Sequence, residues 1–398
     1  MKDLFLRKGA ERRLRGGHLW VYSNEIDSRR SPLGDFAPGD PVVVRAAGGQ
    51  LLGSAYMDPH ALICARLYAP GRECALDEQL FTRQLGLALS LREELFDAPY
   101  YRLAYGDSDG LPGVVADRYG QYVVLQLHNS GLERYREPLR AALLSLLQPS
   151  GILLRRDSRS RGGESAPEPL EVLYGEVPEE VELQENGVRF LAPLRAGQKT
   201  GWFYDHRLSR ARLAQRAAGK RVLDVYSYIG AWGLQAAAAG AASVCCVDSS
   251  AAALEAVAAS AQRNGVADRV GTRRGSAAQV LADMRDAGER FEIVVLDPPA
   301  FIQRKKDLKK GIAAYRRINE LALHLLQPGG LLVSASCSMH LSRAELIGAL
   351  AQASARAGCG VQIIEQGGQG PDHPIHPAIP ETGYLKTLFA RRLPMLPE

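Results

Sequence analysis

The chain has 398 residues, with 49 Lys+Arg against 44 Asp+Glu and a formal net charge of +5. Its 46% hydrophobic and 23% charged residues exclude a disordered chain, and its length allows two or three domains. No apolar run approaches the roughly eighteen residues of a membrane span, and the first residues lack the apolar core of a secretory signal.

Six cysteines without a CxxC pair exclude a disulfide scaffold and a zinc ribbon, so a reducing cytoplasm and no metal site are expected. The basic residues are 40 Arg and only 9 Lys. Residues 1–75 carry 11 basic and 8 acidic side chains, net +3. Residues 76–185 carry 11 and 19, net −8, and 186–398 carry 27 and 17, net +10. A basic surface attracts polyanions. From charge alone, an Arg-rich solvated surface is an equally good reading.

In chain order, residues 1–75 read as short strands broken by turns. PGDPVVVRAAGGQLLGSAYMD suits two strands around Gly48-Gly49, and LICARLY (62–68) a third, so a small β-barrel-like module is expected. Residues 76–98 keep helical apolar spacing. VVADRYGQYVVLQLH (114–128) reads as a hairpin, 132–147 as a helix, and 155–169 as a polar loop. EVPEEVELQENGVRFLAPL reads as another hairpin across Asn186-Gly187. Together these make a small central α+β domain over 76–187.

From 188 to 398 strands and helices alternate. RVLDVYS, SVCCVD, FEIVVLDPP and LLVSASCS are strands, with helices between them, the last before LLVSASCS capped by Gly. This is the pattern of a mostly parallel sheet with crossover helices. The expected fold is therefore α/β, a Rossmann-like domain preceded by the two smaller ones.

Ligands of such sheets bind beyond the carboxyl ends of the strands. The loop YSYIGAWG (226–233) follows the first strand, with Asp224 at the strand end and Gly230 allowing close backbone approach. Asp248 ends the next strand, where a carboxylate can hold both hydroxyls of a ribose. The loop is not GxGxxG, which favours a nucleoside without phosphates, such as S-adenosylmethionine (SAM), over a dinucleotide.

Asp297-Pro298-Pro299 ends a later strand, with Phe301 able to stack on a base or to plug the core. Cys337 ends the next strand, so both should face one crevice. Carbon 5 of cytosine is a poor nucleophile. Attack of a thiolate at C6 makes C5 enamine-like and able to take a sulfonium methyl. Asp297, near N3 and the exocyclic amine, would help charge the ring.

These motifs resemble bacterial PUA-domain-containing class I SAM-dependent methyltransferases that form 5-methylcytosine in large-subunit (23S) ribosomal RNA. The resemblance spans essentially the whole chain. It is carried in order by LRKGAERRLRGGHLWVYSNEI (6–26), SDGLPGVVADRYG (108–120), GQKTGWFYDHR (197–207), VLDVYSYIGAWG, VDSS, LDPPAF, SCS and PDHPI (371–375). It implies a PUA-like RNA-binding domain over 1–75 and a seven-stranded catalytic sheet. It implies Cys337 as nucleophile and Asp297 beside the base and methyl group. Gln198, Lys199 and Thr200 are implied at the methionine end or target pocket. Asp224, Tyr226, Ser227 and Gly230 are implied around the methionine and Asp248 at the ribose, with Ser249 also among the cofactor-binding residues. Ser276 stands where the family commonly has an adenine-binding Asp. Met339 replaces a usual Gly, Trp232 replaces other residues, and no second Cys lies beside the Asp-Pro-Pro.

A flipped or single-stranded base is needed. Arg304, Lys305, Lys306, Lys309 and Lys310 follow the Asp-Pro-Pro and suit phosphates, as do Lys199 and the N-terminal Arg12, Arg13 and Arg15. Trp20 reads as an RNA-facing ring or as core. The partner expected is large-subunit ribosomal RNA, with no membrane, for a monomer or homodimer. Two other readings remain open: methylation of an exocyclic amine (guanine N2 or adenine N6), and a SAM-binding ribosome-assembly factor without turnover.

Overall fold

The computed structural model describes residues 1–156 and 170–393, which fall into two compact units. The first comprises Met1–Val181, Pro193–Tyr204 and Pro371–Thr382. The second comprises Glu182–Ala192, Asp205–Gly370 and the chain from Gly383 on.

The first unit opens with β1 (Lys2–Phe5), α1 (Glu11–Arg15), β2 (Trp20–Tyr22), β3 (Pro41–Arg45), β4 (Leu51–Met57) and β5 (Ile63–Pro70). These strands form a sheet in the order β1-β3-β4-β5-β2. A bridge between Leu6 and Ile26 draws the chain beyond its two edges together, so the sheet curls toward a barrel. The unit continues with α2 (Glu78–Leu95), β6 (Tyr100–Tyr105), β7 (Val114–Tyr119), β8 (Tyr122–Leu127), α3 (Arg136–Leu147), β9 (Gly151–Arg156) and β10 (Leu170–Gly175). Asp77 caps α2 by accepting from the Leu80 amide. The second sheet runs β10-β9-β8-β7-β6.

Tyr56 and Tyr68 of the first sheet lie in one apolar core with Phe81, Leu103, Leu125 and Leu143. Tyr56 donates to the Pro112 carbonyl at 2.9 Å. That shared core is why both sheets belong to one compact unit. Of the loop expected over 155–169, residues 157–169 lie outside the described residues. Arg155 is not in a loop: it is buried in β9 and donates to the Gly197 carbonyl at 2.7 Å.

The hairpin β11 (Glu180–Glu185) and β12 (Val188–Pro193) leads to the second unit. There follow α4 (Arg207–Ala214), β13 (Arg221–Val225), α5 (Ala231–Ala238), β14 (Ser243–Asp248), α6 (Ala251–Arg263), β15 (Val270–Arg274) and α7 (Ala277–Asp286). Then come β16 (Phe291–Leu296), α8 (Leu308–Leu325), β17 (Leu326–Ser336), α9 (Arg343–Arg356), β18 (Val361–Gly367) and β19 (Lys386–Arg392). The seven strands are ordered β15-β14-β13-β16-β17-β19-β18. All neighbours are parallel except β19, which runs antiparallel to β17 and β18.

Both faces of such a sheet must be covered. Leu223, Val225, Leu296 and Leu332 pack against Met284 of α7, Tyr315 of α8 and Leu346 of α9. The order reverses at β13, with β14 on one side and β16 on the other, so a crevice opens beyond their carboxyl ends. One helix end differs from expectation. Helix α8 stops at Leu325, not at Gly329-Gly330, because Leu326 already pairs with Phe291 and Pro328 disfavours helical backbone before it.

Candidate active site

The loop leaving β13 is strained. Tyr226, Tyr228 and Gly230 take positive φ of 63°, 49° and 81°. Left-handed backbone at two tyrosines costs on the order of 1 kcal/mol each, and such strain concentrates at functional loops. A Cβ on Gly230 would lie 3.0 Å from Val257, so this position needs glycine for space as well as for φ. Gly233 is tighter, since a Cβ there would lie 2.7 Å from Cys246 Sγ and 3.1 Å from Asp224 Oδ2. Its bare backbone lets the amide donate to Asp224 Oδ2 at 2.8 Å.

Asp224 is wholly buried, and its Oδ1 has no hydrogen-bond partner among the described residues. The buried Ser227 hydroxyl is in the same state. Burial pushes the Asp224 carboxyl up to about 7, against the Gly233 amide, with Asp297 and Asp248 adding to the rise. The folded chain therefore keeps a proton that the unfolded chain releases near pH 4. Between about pH 4 and pH 7 the folded state binds more protons, so stability falls as pH rises through that window. Asp224→Asn removes the effect. The melting temperature of the native chain should fall more between about pH 5 and pH 8 than that of this variant, and parallel curves would refute the assignment.

Asp248, at the end of β14, is held by two backbone donors, Tyr228 N to Oδ2 and Ser250 N to Oδ1, both at 2.9 Å. One lone pair on each oxygen stays available, and the orientation is set by the loop itself. Ser249 is exposed, with its carbonyl accepting from Arg274. Ser276 is exposed beyond β15, and its hydroxyl caps α7 by accepting from Gln279 N.

Asp297 follows β16, one residue past the Val225–Leu296 pair that fixes its depth. Its Oδ2 accepts from Trp232 Nε1 at 3.0 Å, and its Oδ1 lies 3.2 Å from His206 Nε2. Burial alone pushes His206 down, but the Asp297 carboxylate outweighs it and the imidazole ends above its ordinary value. Burial alone pushes Asp297 up, but His206 and Trp232 hold it below the usual carboxylate range. The two face each other as an imidazole–carboxylate pair, each favouring the other's charged form. The sequence reading missed His206. Its only signal was the DHR triplet ending GQKTGWFYDHR, and its partner comes from a distant strand.

Cys337 follows β17 and is partly exposed, with Sγ 3.9 Å from the Pro298 carbonyl. The second unit thus brings the thiol beside the Asp-Pro-Pro turn. Phe301 packs on Tyr315 at 4.8 Å and on Tyr226 at 6.4 Å between ring centroids, so it belongs to an aromatic cluster. Arg304 pairs with Asp307, and Lys305, Lys306, Lys309 and Lys310 are all exposed.

The remaining expected residues lie in the first unit. The Thr200 hydroxyl is buried and donates to Asp117 Oδ2 at 2.6 Å, while Asp117 also takes a fork from Arg102. Gln198 and Lys199 are exposed, and Lys199 lies over the Phe203 ring with φ at 49°. Arg12 and Arg15 are exposed, whereas Arg13 is held by Glu25 and the Trp20 carbonyl. Trp20 itself donates to Asp107 at 2.9 Å and is capped by Arg66, which fixes it between the two sheets of that unit.

Comparison with known proteins adds three findings. The family described as S-adenosylmethionine-dependent methyltransferase matches residues 145–391, and a PUA-like domain matches residues 4–70. The chain is 37% identical over 391 residues, 97% of this chain and 98% of the relative, to "Ribosomal RNA large subunit methyltransferase I" of Shewanella denitrificans. It is 36% identical over 394 residues, 98% of each chain, to the protein of the same name from Aeromonas salmonicida. Among solved structures, SMU.776, a methyltransferase complexed with SAH, aligns at TM-score 0.84 and 22% identity, covering 98% of this chain and all of the other. A SAM-dependent methyltransferase from Streptococcus mutans aligns at 0.83, again with 22% identity and the same coverage. At that identity the structural likeness is one of fold.

Proposed function

The chain belongs to the S-adenosylmethionine-dependent methyltransferase family and carries a PUA-like domain, and from that membership we propose that it methylates carbon 5 of a cytosine in large-subunit ribosomal RNA, with Cys337 as covalent nucleophile. The observation that carries this reading is the placement of a partly exposed thiol 3.9 Å from the Pro298 carbonyl, on the lip of the Asp-Pro-Pro turn. Methylation of an exocyclic amine needs no such thiol. The same proposal divides the chain into a PUA-like RNA-binding domain over 1–75, a central domain over 76–187 and the methyltransferase domain over 188–398.

The residues beyond β13 and β14 fit the cofactor. Asp224 Oδ1 and Ser227 Oγ are buried acceptors without partners among the described residues, suited to a cationic amino acid moiety. The Asp248 oxygens are preset for two ribose hydroxyls. Tyr226 and Gly230 line the same loop, with Ser249 and Ser276 at the nucleoside end. Gln198 and Thr200 belong to the proposed cofactor set through the family resemblance, and Lys199 to the RNA contacts. When bound, SAM supplies an electrophilic methyl group.

The chain's own groups do the rest. The Cys337 thiolate adds to C6 and pushes electron density onto C5. Asp297, held ionised by His206 and Trp232, is in the right state to accept from the exocyclic amine. After C5 carries the methyl group, a base takes the C5 proton and the thiolate leaves, restoring the ring. Bisulfite mapping of large-subunit ribosomal RNA with and without this gene tests the reading. One protected cytosine present only with the gene is the expected result. A missing methyl on a guanine or adenine amine would favour the second reading, and SAM binding without any transfer would favour a non-catalytic factor.

The exposed lysines 305, 306, 309 and 310 are proposed to hold RNA phosphates. Replacing all four with Gln should weaken RNA binding and flatten its salt dependence by roughly as many counterions as phosphate contacts are lost. SAM affinity should be unchanged. Equal RNA affinity and salt slope in the variant would return the cluster to an ordinary solvated surface.

A further inference from the structure

Eight of the nine lysines are exposed, and Lys386 alone is buried, with 6% of its surface accessible. It opens β19, where its backbone pairs with Ser336. Its Nζ donates to the Ser338 carbonyl at 2.7 Å. These two anchors straddle Cys337: the lysine starts opposite the residue before the thiol and ends on the residue after it. Tyr315 from α8 fixes both flanks, with its hydroxyl 2.8 Å from Ser336 Oγ and 2.9 Å from Ser338 Oγ. A buried ammonium is costly unless a charge or strong acceptor faces it, and a single neutral carbonyl offsets only part of that cost.

We propose that Lys386 is the positioning residue that activates Cys337: its buried ammonium, pinned to the Ser338 carbonyl, stabilises the Cys337 thiolate, so the S–H bond breaks with its proton released to solvent and the thiolate is left beside the cation. This rests on the reading of Cys337 as nucleophile. The charged and titratable groups around the lysine agree with it. Burial pushes Lys386 down to about 8, Cys337 and Glu345 pull it back up, and Arg343 pushes it further down. Tyr315, which faces Cys337 from α8, is itself pushed up by burial and stays a neutral phenol. A thiolate beside Lys386 restores part of what burial takes from the ammonium, so the two charged forms favour each other.

The test is the pH dependence of iodoacetamide alkylation of Cys337 in the full chain, followed by mass spectrometry of its peptide. Lys386→Met should move the inflection up by about one pH unit or more, making alkylation at pH 7 roughly ten-fold slower. Lys386→Arg, which keeps the charge, should restore most of the native profile. One inflection shared by all three proteins would overturn the proposal. Should Lys386→Met fail to fold, competitive acetylation of Lys386 in the Cys337→Ser protein replaces it. Loss of the thiolate should then lower the lysine inflection, and an unmoved inflection overturns the proposal. Alkylation does not depend on methyl transfer. Retained transfer by a Cys337→Ala protein would therefore sink the cytosine reading without touching this result, and an unshifted alkylation profile would sink Lys386 alone.

Discussion

Cys337→Ala should lower methyl transfer to cytosine by at least roughly 10⁴-fold, because a residue that forms the covalent intermediate cannot be replaced piecemeal by the rest of the site. SAM affinity should stay within about two-fold, since the proposed cofactor acceptors lie at the ends of β13 and β14 while the thiol follows β17. A second readout isolates the covalent step. RNA carrying 5-fluorocytosine at the target has no C5 proton to lose, so the native chain should stall as a protein–RNA adduct and the alanine variant should form none. The other thiols cannot stand in. Burial pushes Cys64 up to about 12 and Cys245 up to about 11, and it raises Cys74, Cys246 and Cys359 as well. Retained transfer with no adduct would move the chemistry to an exocyclic amine, for which Asp297 suffices.

The carboxylates and the thiol were legible because a parallel sheet writes its strands as apolar runs, and each run here ends at or next to the residue that matters. RVLDV, SVCCVD, FEIVVL and the end of LLVSAS deliver Asp224, Asp248, Asp297 and Cys337 to one edge. Strand β15, VGTRR, is an edge strand with mostly exposed side chains, so it carries no apolar run to read. Strands β18 and β19 pair antiparallel across long separations, and only the register Ser336–Lys386 shows that a lysine near the end of the chain flanks the thiol. His206 was hidden for the same reason: nothing local marks a histidine whose partner is the carboxylate after β16. Periodicity finds elements, but pairs made between elements need the fold.

Glu185→Ala should cost about 3–5 kcal/mol of stability, a large part of the roughly 5–15 kcal/mol that holds a domain folded. Glu185 ends β11 with 2% of its surface accessible. It contacts the buried Arg210 guanidinium, lies 3.5 Å from Arg207 Nε, and accepts from Gln235 Nε2 at 2.9 Å. The next residue, Asn186, turns the hairpin at φ 50° and donates to the Arg207 carbonyl and to Gln235 Oε1. Hairpin, α4 and α5 are therefore clamped by one polar cluster. Alanine removes the carboxylate that two buried guanidinium groups face, which costs far more than the intact pair contributes. Glu185→Gln keeps an acceptor oxygen in place and should cost less. Urea unfolding measures both, and a loss below about 1 kcal/mol for alanine would show that solvent reaches the cluster. Activity should fall as well at temperatures where the variant stays folded, because Arg207 follows His206, and a loosened start to α4 releases the imidazole that faces Asp297.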